Sequence, residues 1–161
     1  MEIQAKRAWM RAKVESFARQ SDPDAIAGLR VACLTDGDTF NGWTCRKSLL
    51  WRGRASCKGI YVDALLTIAL SPCGCNERTW FHELGHHVTL SDVNLWRVAR
   101  DVFRAIRHEL PHSCYNPEEM LAWMYATALL ERNGAFRVNR LWVDGGGYGR
   151  VADRWGARKG A

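Results

Sequence analysis

His82 and His86 stand four positions apart, with Glu83 directly after the first. On a helix, positions i and i+4 share a face, so both imidazoles can aim a ring nitrogen at one divalent ion. Glu83 is offset by about 100° around that helix. From there its carboxylate can reach a water held at the ion without ligating the ion, the general-base placement of an H-E-x-x-H hydrolytic site. The pattern predicts one Zn2+ per chain, with His82 and His86 as ligands and Glu83 as catalytic base.

Two histidines do not complete such a site. A catalytic zinc takes three protein ligands and leaves one position for water. Asp92 follows at metzincin-like spacing, but Thr89 stands where the helix must break sharply, a place suited to Gly. Asp92 is also a good N-cap for the next helix. His87 points about 100° away from His86. His108 and His112 flank a helix end, an ordinary surface position for histidine. Glu118 and Glu119 lie in the first turn of a later helix. A glutamate there would complete a His2Glu set, while a capping box and the helix dipole account for both carboxylates without a metal.

The elements that must position these residues follow from hydrophobic period and punctuation. Residues 2–19 read as an amphipathic helix with Ile3, Ala5, Ala8, Trp9, Ala12, Phe17 and Ala18 on its apolar side. Ser21-Asp22-Pro23-Asp24 stops it. Leu29 to Leu34 reads as a strand, and Thr35-Asp36-Gly37-Asp38 and Asn41-Gly42 as turns. Arg54 to Val62 reads as extended, with an awkward Gly59, and Ala64 to Leu70 as a buried strand. Ser71 to Cys75 is a tight connection. Asn76 caps the motif helix, expected to run to about Val88. A helix capped by Ser91 or Asp92 carries Leu95, Ala99, Val102, Ile106 and Leu110, and Pro111 ends it. Asn116-Pro117-Glu118-Glu119 is a strong helix start, and that helix runs to about Arg132, closed by Asn133-Gly134. Residues 136–143 are compatible with strand or helix.

Composition bounds the rest. The 161 residues suit one domain, expected over 1–144, with a Gly-rich basic tail over 145–161 expected to be flexible. The 47% hydrophobic fraction supports a core, and no run of eighteen uncharged apolar residues predicts a membrane span. The net charge of +6 raises nucleic acid as a partner. A solvated basic face is the favoured reading, because no nucleic-acid motif is present. The six cysteines, with no secretory leader pattern at residues 1–7, are expected to be reduced thiols of a cytoplasmic protein.

The segment from Glu119 through Ala122, Tyr125 and Ala126 to Leu129-Leu130 resembles the ImmA/IrrE-type metallopeptidases. There a ligand Glu is followed by Ala at +3, an aromatic-Ala pair and a Leu pair. Upstream, Thr67-Ile68-Ala69-Leu70, a short turn and the run into His-Glu-Leu-Gly-His also fit, so the likeness covers about residues 58–131. Trp123 stands where the family usually has Asn, Leu121 where it is usually polar, and Phe81 where Ala is common. The resemblance implies Glu119 as third ligand and an α+β, zincin-like fold. In it a small mixed or antiparallel sheet packs on the motif helix and on a second, ligand-bearing helix. It implies a selective endopeptidase whose protein substrate is a helix-turn-helix repressor of a phage, mobile element or stress response. Small residues Ala122 and Ala126 would let the second helix pack closely on the one carrying Gly85. An oxyanion donor is also required, with Tyr115 and Tyr148 as candidates and Tyr125 placed in the core. The alternative is a catalytically silent zincin-like module that binds a protein or nucleic acid.

Overall fold

The computed structural model describes residues 2–90 and 93–132. Helices α1 (Ile3–Arg19) and α2 (Pro23–Ile26) lead into seven strands. These are β1 (Arg30–Cys33), β2 (Thr39–Phe40), β3 (Trp43–Arg46), β4 (Leu49–Arg52), β5 (Ala55–Cys57), β6 (Gly59–Val62) and β7 (Thr67–Leu70). Helices α3 (Glu77–Leu90), α4 (Val93–Ile106) and α5 (Pro117–Arg132) follow. The architecture is α+β with two small sheets. One is mixed, in the order β1-β7-β6, with β1 parallel and β6 antiparallel to central β7. The other is the antiparallel meander β2-β3-β4-β5.

β7 is buried at all four positions, as an unbroken Thr-Ile-Ala-Leu run between two neighbours requires. It is shorter than the Ala64–Leu70 strand that apolarity alone predicts. Asp63–Leu65 instead forms a 3-10 turn, and Leu66 closes it in the left-handed region at φ +47°. Ile68 and Leu70 join the main core with Trp80, Phe81 and Leu84 of α3 and Met120 and Leu130 of α5. Leu34, Cys45, Leu50 and Ala69 make a second cluster that ties the meander to the mixed sheet.

Of the expected α1 stripe only Phe17 is buried. Met10 and Phe17 are buried with Val14 packed beside them, whereas Trp9 and Ile3 stand 40% and 55% exposed. The 10-14-17 spacing is as helical as the alanine-rich one and buries bulkier side chains. Phe17 meets Trp80, whose indole N–H donates to Ser21 Oγ at 3.0 Å, so α1 is anchored on the motif helix. Gly59 opens β6 and allows a close approach to α3. A Cβ there would lie 2.8 Å from Thr79 Cγ2. No helix among the described residues is long and apolar enough to cross a membrane. The expected tail over 145–161, Asn133-Gly134 and residues 136–143 lie outside the described residues.

Candidate metal centre

Two asparagine caps start the helices that meet at the site. Asn76 Oδ1 accepts from Thr79 N–H at 2.9 Å at the head of α3, and Asn116 Oδ1 accepts from Glu119 N–H at 2.8 Å at the head of α5. Each such cap contributes about 1 kcal/mol to its helix. Glu119 is thus at N3, where a capping-box glutamate would turn its side chain back to the cap. It does not. Its Oε2 lies 3.0 Å from His82 Nε2 and its Oε1 3.1 Å from His86 Nε2.

The close packing of α3 on α5 makes this reach possible. A Cβ on Gly85 would lie 2.7 Å from the Ala122 carbonyl oxygen, so only glycine permits the observed separation. The histidines stand three residues before and one residue after Gly85 on α3. Their Nε2 atoms stand 3.2 Å apart, and His82, His86 and Glu119 all present a ligand atom within 4.8 Å of one another. This His-His-Glu group could hold a metal ion. Both histidines are buried, and among the described residues the Nδ1 atoms of His82 and His86 have no hydrogen-bond partner. Glu118 Oε1 stands 3.3 Å from His86 Nδ1, at ion-pair distance but outside hydrogen-bond geometry.

Charges at the site are strongly perturbed. Burial pushes the Glu83 carboxyl up to about 7, with the Glu119 and Glu118 carboxylates adding to the rise against the pull of His86. Burial also raises Glu119, but the bonds from His82 and His86 outweigh it and hold that carboxyl at about 2. His82 is pushed down by burial, despite its bond to Glu119. His86 is pushed down by burial too, yet Glu119, Glu83 and Glu118 together leave it above the ordinary histidine range.

A cavity of about 580 Å³ opens beside these groups, with His82, Glu83, Glu119, Tyr115 and Trp123 in its wall. Tyr115 is 70% exposed, and burial of its remainder together with the nearby carboxylates raises its hydroxyl above the ordinary range. Trp123 stacks on His82 with ring centroids 4.1 Å apart, and the Arg78 guanidinium sits 4.8 Å over the same indole. Sequence reading singled out neither residue for this role. Spacing carried the signal: Arg78 lies four before His82 and Trp123 four after Glu119, each on its ligand's helix face.

The other candidates separate cleanly. His87 turns away and pairs its Nδ1 with Tyr61 Oη at 2.7 Å. Tyr125 lines a different cavity of about 400 Å³ with Tyr61 and His87. His108 and His112 are exposed. Asp92 lies outside the described residues, but α3 continues unbroken past Thr89, whose hydroxyl donates to Gly85 O at 2.7 Å, to Leu90. Tyr148 also lies outside the described residues. All six cysteines are free thiols. No protein-family model matches the chain, and no curated protein or solved structure is measurably similar to it.

Proposed function

We propose that this chain is a zinc-dependent endopeptidase with a zincin-like site, cutting a peptide bond in a specific protein substrate in the cytoplasm. The observation that carries the reading is the placement of a buried Glu83 carboxyl, tuned to about 7, beside three converging ligand atoms in the wall of one cavity. The donor set suits zinc. Bonds of about 2.0–2.1 Å in a tetrahedron put ligand atoms about 3.3–3.4 Å apart, close to the 3.0–3.2 Å separations among His82, His86 and Glu119.

His82, His86 and Glu119 would hold the ion. Zinc supplies Lewis acidity towards the substrate carbonyl and brings water towards neutral pKa, about 7. The chain's own groups do the rest. A carboxyl that ionises near 7 is matched to accept a proton from the attacking water at neutral pH and return it to the leaving amine. Tyr115, on the cavity wall, would donate its hydroxyl to the developing oxyanion. β6 borders the cavity at Gly59 and has a single strand neighbour among the described residues, so an extended peptide can add along its other edge. The resemblance to ImmA/IrrE-type peptidases supports the same chemistry and extends it to a helix-turn-helix repressor as substrate.

The test is a zinc-loaded chain incubated with a mixed peptide library and read by mass spectrometry, beside its Glu83→Gln variant. Cleavage at defined sites by the first and none by the second, with zinc retained in both, is the expected result. Equal cleavage by both, or none by either, overturns the assignment.

A further inference from the structure

We infer that the β2–β5 meander is a docking surface for an acidic stretch of the polypeptide substrate, an inference that rests on the endopeptidase reading of the adjoining cavity. From residue 39 to residue 62 the chain carries five cations, Arg46, Lys47, Arg52, Arg54 and Lys58, and no aspartate or glutamate. All five are exposed, and among the described residues none makes an ion pair. They outnumber the Asp36 carboxylate, which accepts from Ser48 N–H at 2.9 Å at the β3–β4 turn, and an anionic partner relieves the like charge that remains.

The strand register fixes which way the meander faces. Cys45, Leu50 and Cys57 are cross-strand neighbours, and the first two are buried over Leu34 and Ala69. Alternation then puts Thr44, Arg46, Trp51 and Ser56 on the side away from that core. On that side Arg46 is already held in place. Its guanidinium lies 4.5 Å over the Trp51 ring, and the Trp51 indole N–H donates to Arg46 O at 3.0 Å. A pre-ordered guanidinium loses less freedom on binding a carboxylate than a free one. Arg52, on the Leu50 side by the same alternation, and Arg54 flank the turn at Gly53, and Lys58 follows β5 in the cavity wall. Cations therefore stand from the far turn to the wall of the cavity.

A peptide fits this path better than a nucleic acid. The cavity at its end is the proposed peptidase site, which takes a peptide bond rather than a phosphodiester. Stacking of bases needs free aromatic faces, and one face of Trp51 is covered by Arg46. The substrate class that follows is a protein whose cleaved bond lies within a few residues of an acidic run.

The test measures binding apart from cleavage. Fluorescence anisotropy with the zinc-loaded Glu83→Gln chain compares a labelled Glu-Gly-Ser repeat, the matching Gln-Gly-Ser repeat and an oligothymidylate of equal charge. The Glu repeat should bind roughly tenfold more tightly than the Gln repeat at low salt, and weaken as salt rises. Arg46→Gln/Lys47→Gln/Arg52→Gln/Arg54→Gln should remove roughly that tenfold. The same number of changes on α1, Lys6→Gln/Arg11→Gln/Lys13→Gln/Arg19→Gln, should leave affinity nearly unchanged. Should the fourfold meander variant misfold, Arg52→Gln and Arg54→Gln are read singly, each expected to weaken binding about twofold. Equal affinity for the Glu and Gln repeats, equal losses in the meander and α1 variants, no loss in the single variants, or tighter binding of the oligothymidylate overturns the inference. Wild-type cleavage of a neutral peptide with no acidic preference would sink the docking surface and leave the peptidase standing. Acidic-repeat binding at the meander, with no peptide cleaved by the zinc-loaded wild type, would do the reverse.

Discussion

Replacing Glu83 by Gln should stabilise the metal-free fold at alkaline pH and abolish hydrolysis. Glu83 is 6% exposed, and its carboxyl ionises at about 7 rather than the ordinary 4.5. At about 1.4 kcal/mol per tenfold, ionising it in the fold costs roughly 3 kcal/mol more than in the open chain. The folded pKa is raised, so the stability attached to the protonated form is fully present below the open-chain value. It is lost as pH rises through about 7. Metal-free wild type should therefore lose roughly 3 kcal/mol between pH 4 and pH 8 from this group, whereas the Gln variant should not. A buried amide without full partners costs about 1–3 kcal/mol of its own, at every pH alike. The change in the variant's relative stability between the two pH values is thus the clean quantity. Urea unfolding of both proteins in excess chelator, followed by tryptophan fluorescence, measures it. Zinc-loaded variant should retain its metal while hydrolysis falls by at least about a hundredfold. A relative stability that is the same at pH 4 and pH 8 within about 0.5 kcal/mol would refute the buried, raised carboxyl and with it the base assignment.

Four further outcomes follow from the same geometry. Metal analysis should give about one zinc per chain, with most of it lost in His82→Ala, His86→Ala and Glu119→Ala and kept in Asp92→Ala; the opposite result for the last two would move the third ligand. Gly85→Ala forces a methyl to 2.7 Å from Ala122 O. It should destabilise the chain by about 1–3 kcal/mol in urea and weaken zinc affinity in the same protein. Tyr115→Phe should lower kcat roughly a hundredfold with KM little changed, measured on any cleaved peptide. His86 sits above its ordinary range because of Glu119, Glu83 and Glu118. Zinc must displace its proton, so zinc affinity from competition titration should fall with acidification, and uptake near neutral pH should release protons to a dye.

What was legible in the sequence was local. The i, i+4 spacing of the histidines, both asparagine caps and the small residues of α5 are statements about one or two helix turns, and helices obey such rules. The structure accordingly brings His82, His86, Glu83 and Glu119 together through a contact that Gly85 and Ala122 announce. The meander was not legible. Asn41-Gly42 marks one of its turns with positive φ at both residues, but Lys47-Ser48 adopts φ +51° and +61° with no glycine or asparagine to signal it. Strands of two to four residues leave too little alternation to count. The face of α1 was misjudged because alanines and Trp9 offered a periodicity as good as the Met10–Val14–Phe17 stripe. Packing, not period, chose between them.

Several features of the site oppose folding on their own account, and all of them lie within one helix contact. Two imidazole Nε2 atoms face each other at 3.2 Å, where one proton can serve only one of them. Both Nδ1 atoms are buried without a hydrogen-bond partner among the described residues, each a loss of about 1–3 kcal/mol. Glu119 leaves its capping role and spends its carboxylate on the histidines instead. Gly85 gives up helix propensity of about 1 kcal/mol relative to Ala to let α5 come close. A cation held by His82, His86 and Glu119 would account for the set together, since it would use the Nε2 lone pairs and the carboxylate and leave the ring protons on Nδ1. At His86 that proton would lie 3.3 Å from Glu118 Oε1, on the side where the outer-shell partner of such a ligand would stand. His82 Nδ1 has no hydrogen-bond partner among the described residues, and the Trp123 ring covers the face of that imidazole. The surroundings of the two histidines are therefore unequal, ionic at His86 and aromatic at His82, and the aromatic half also forms part of the cavity wall.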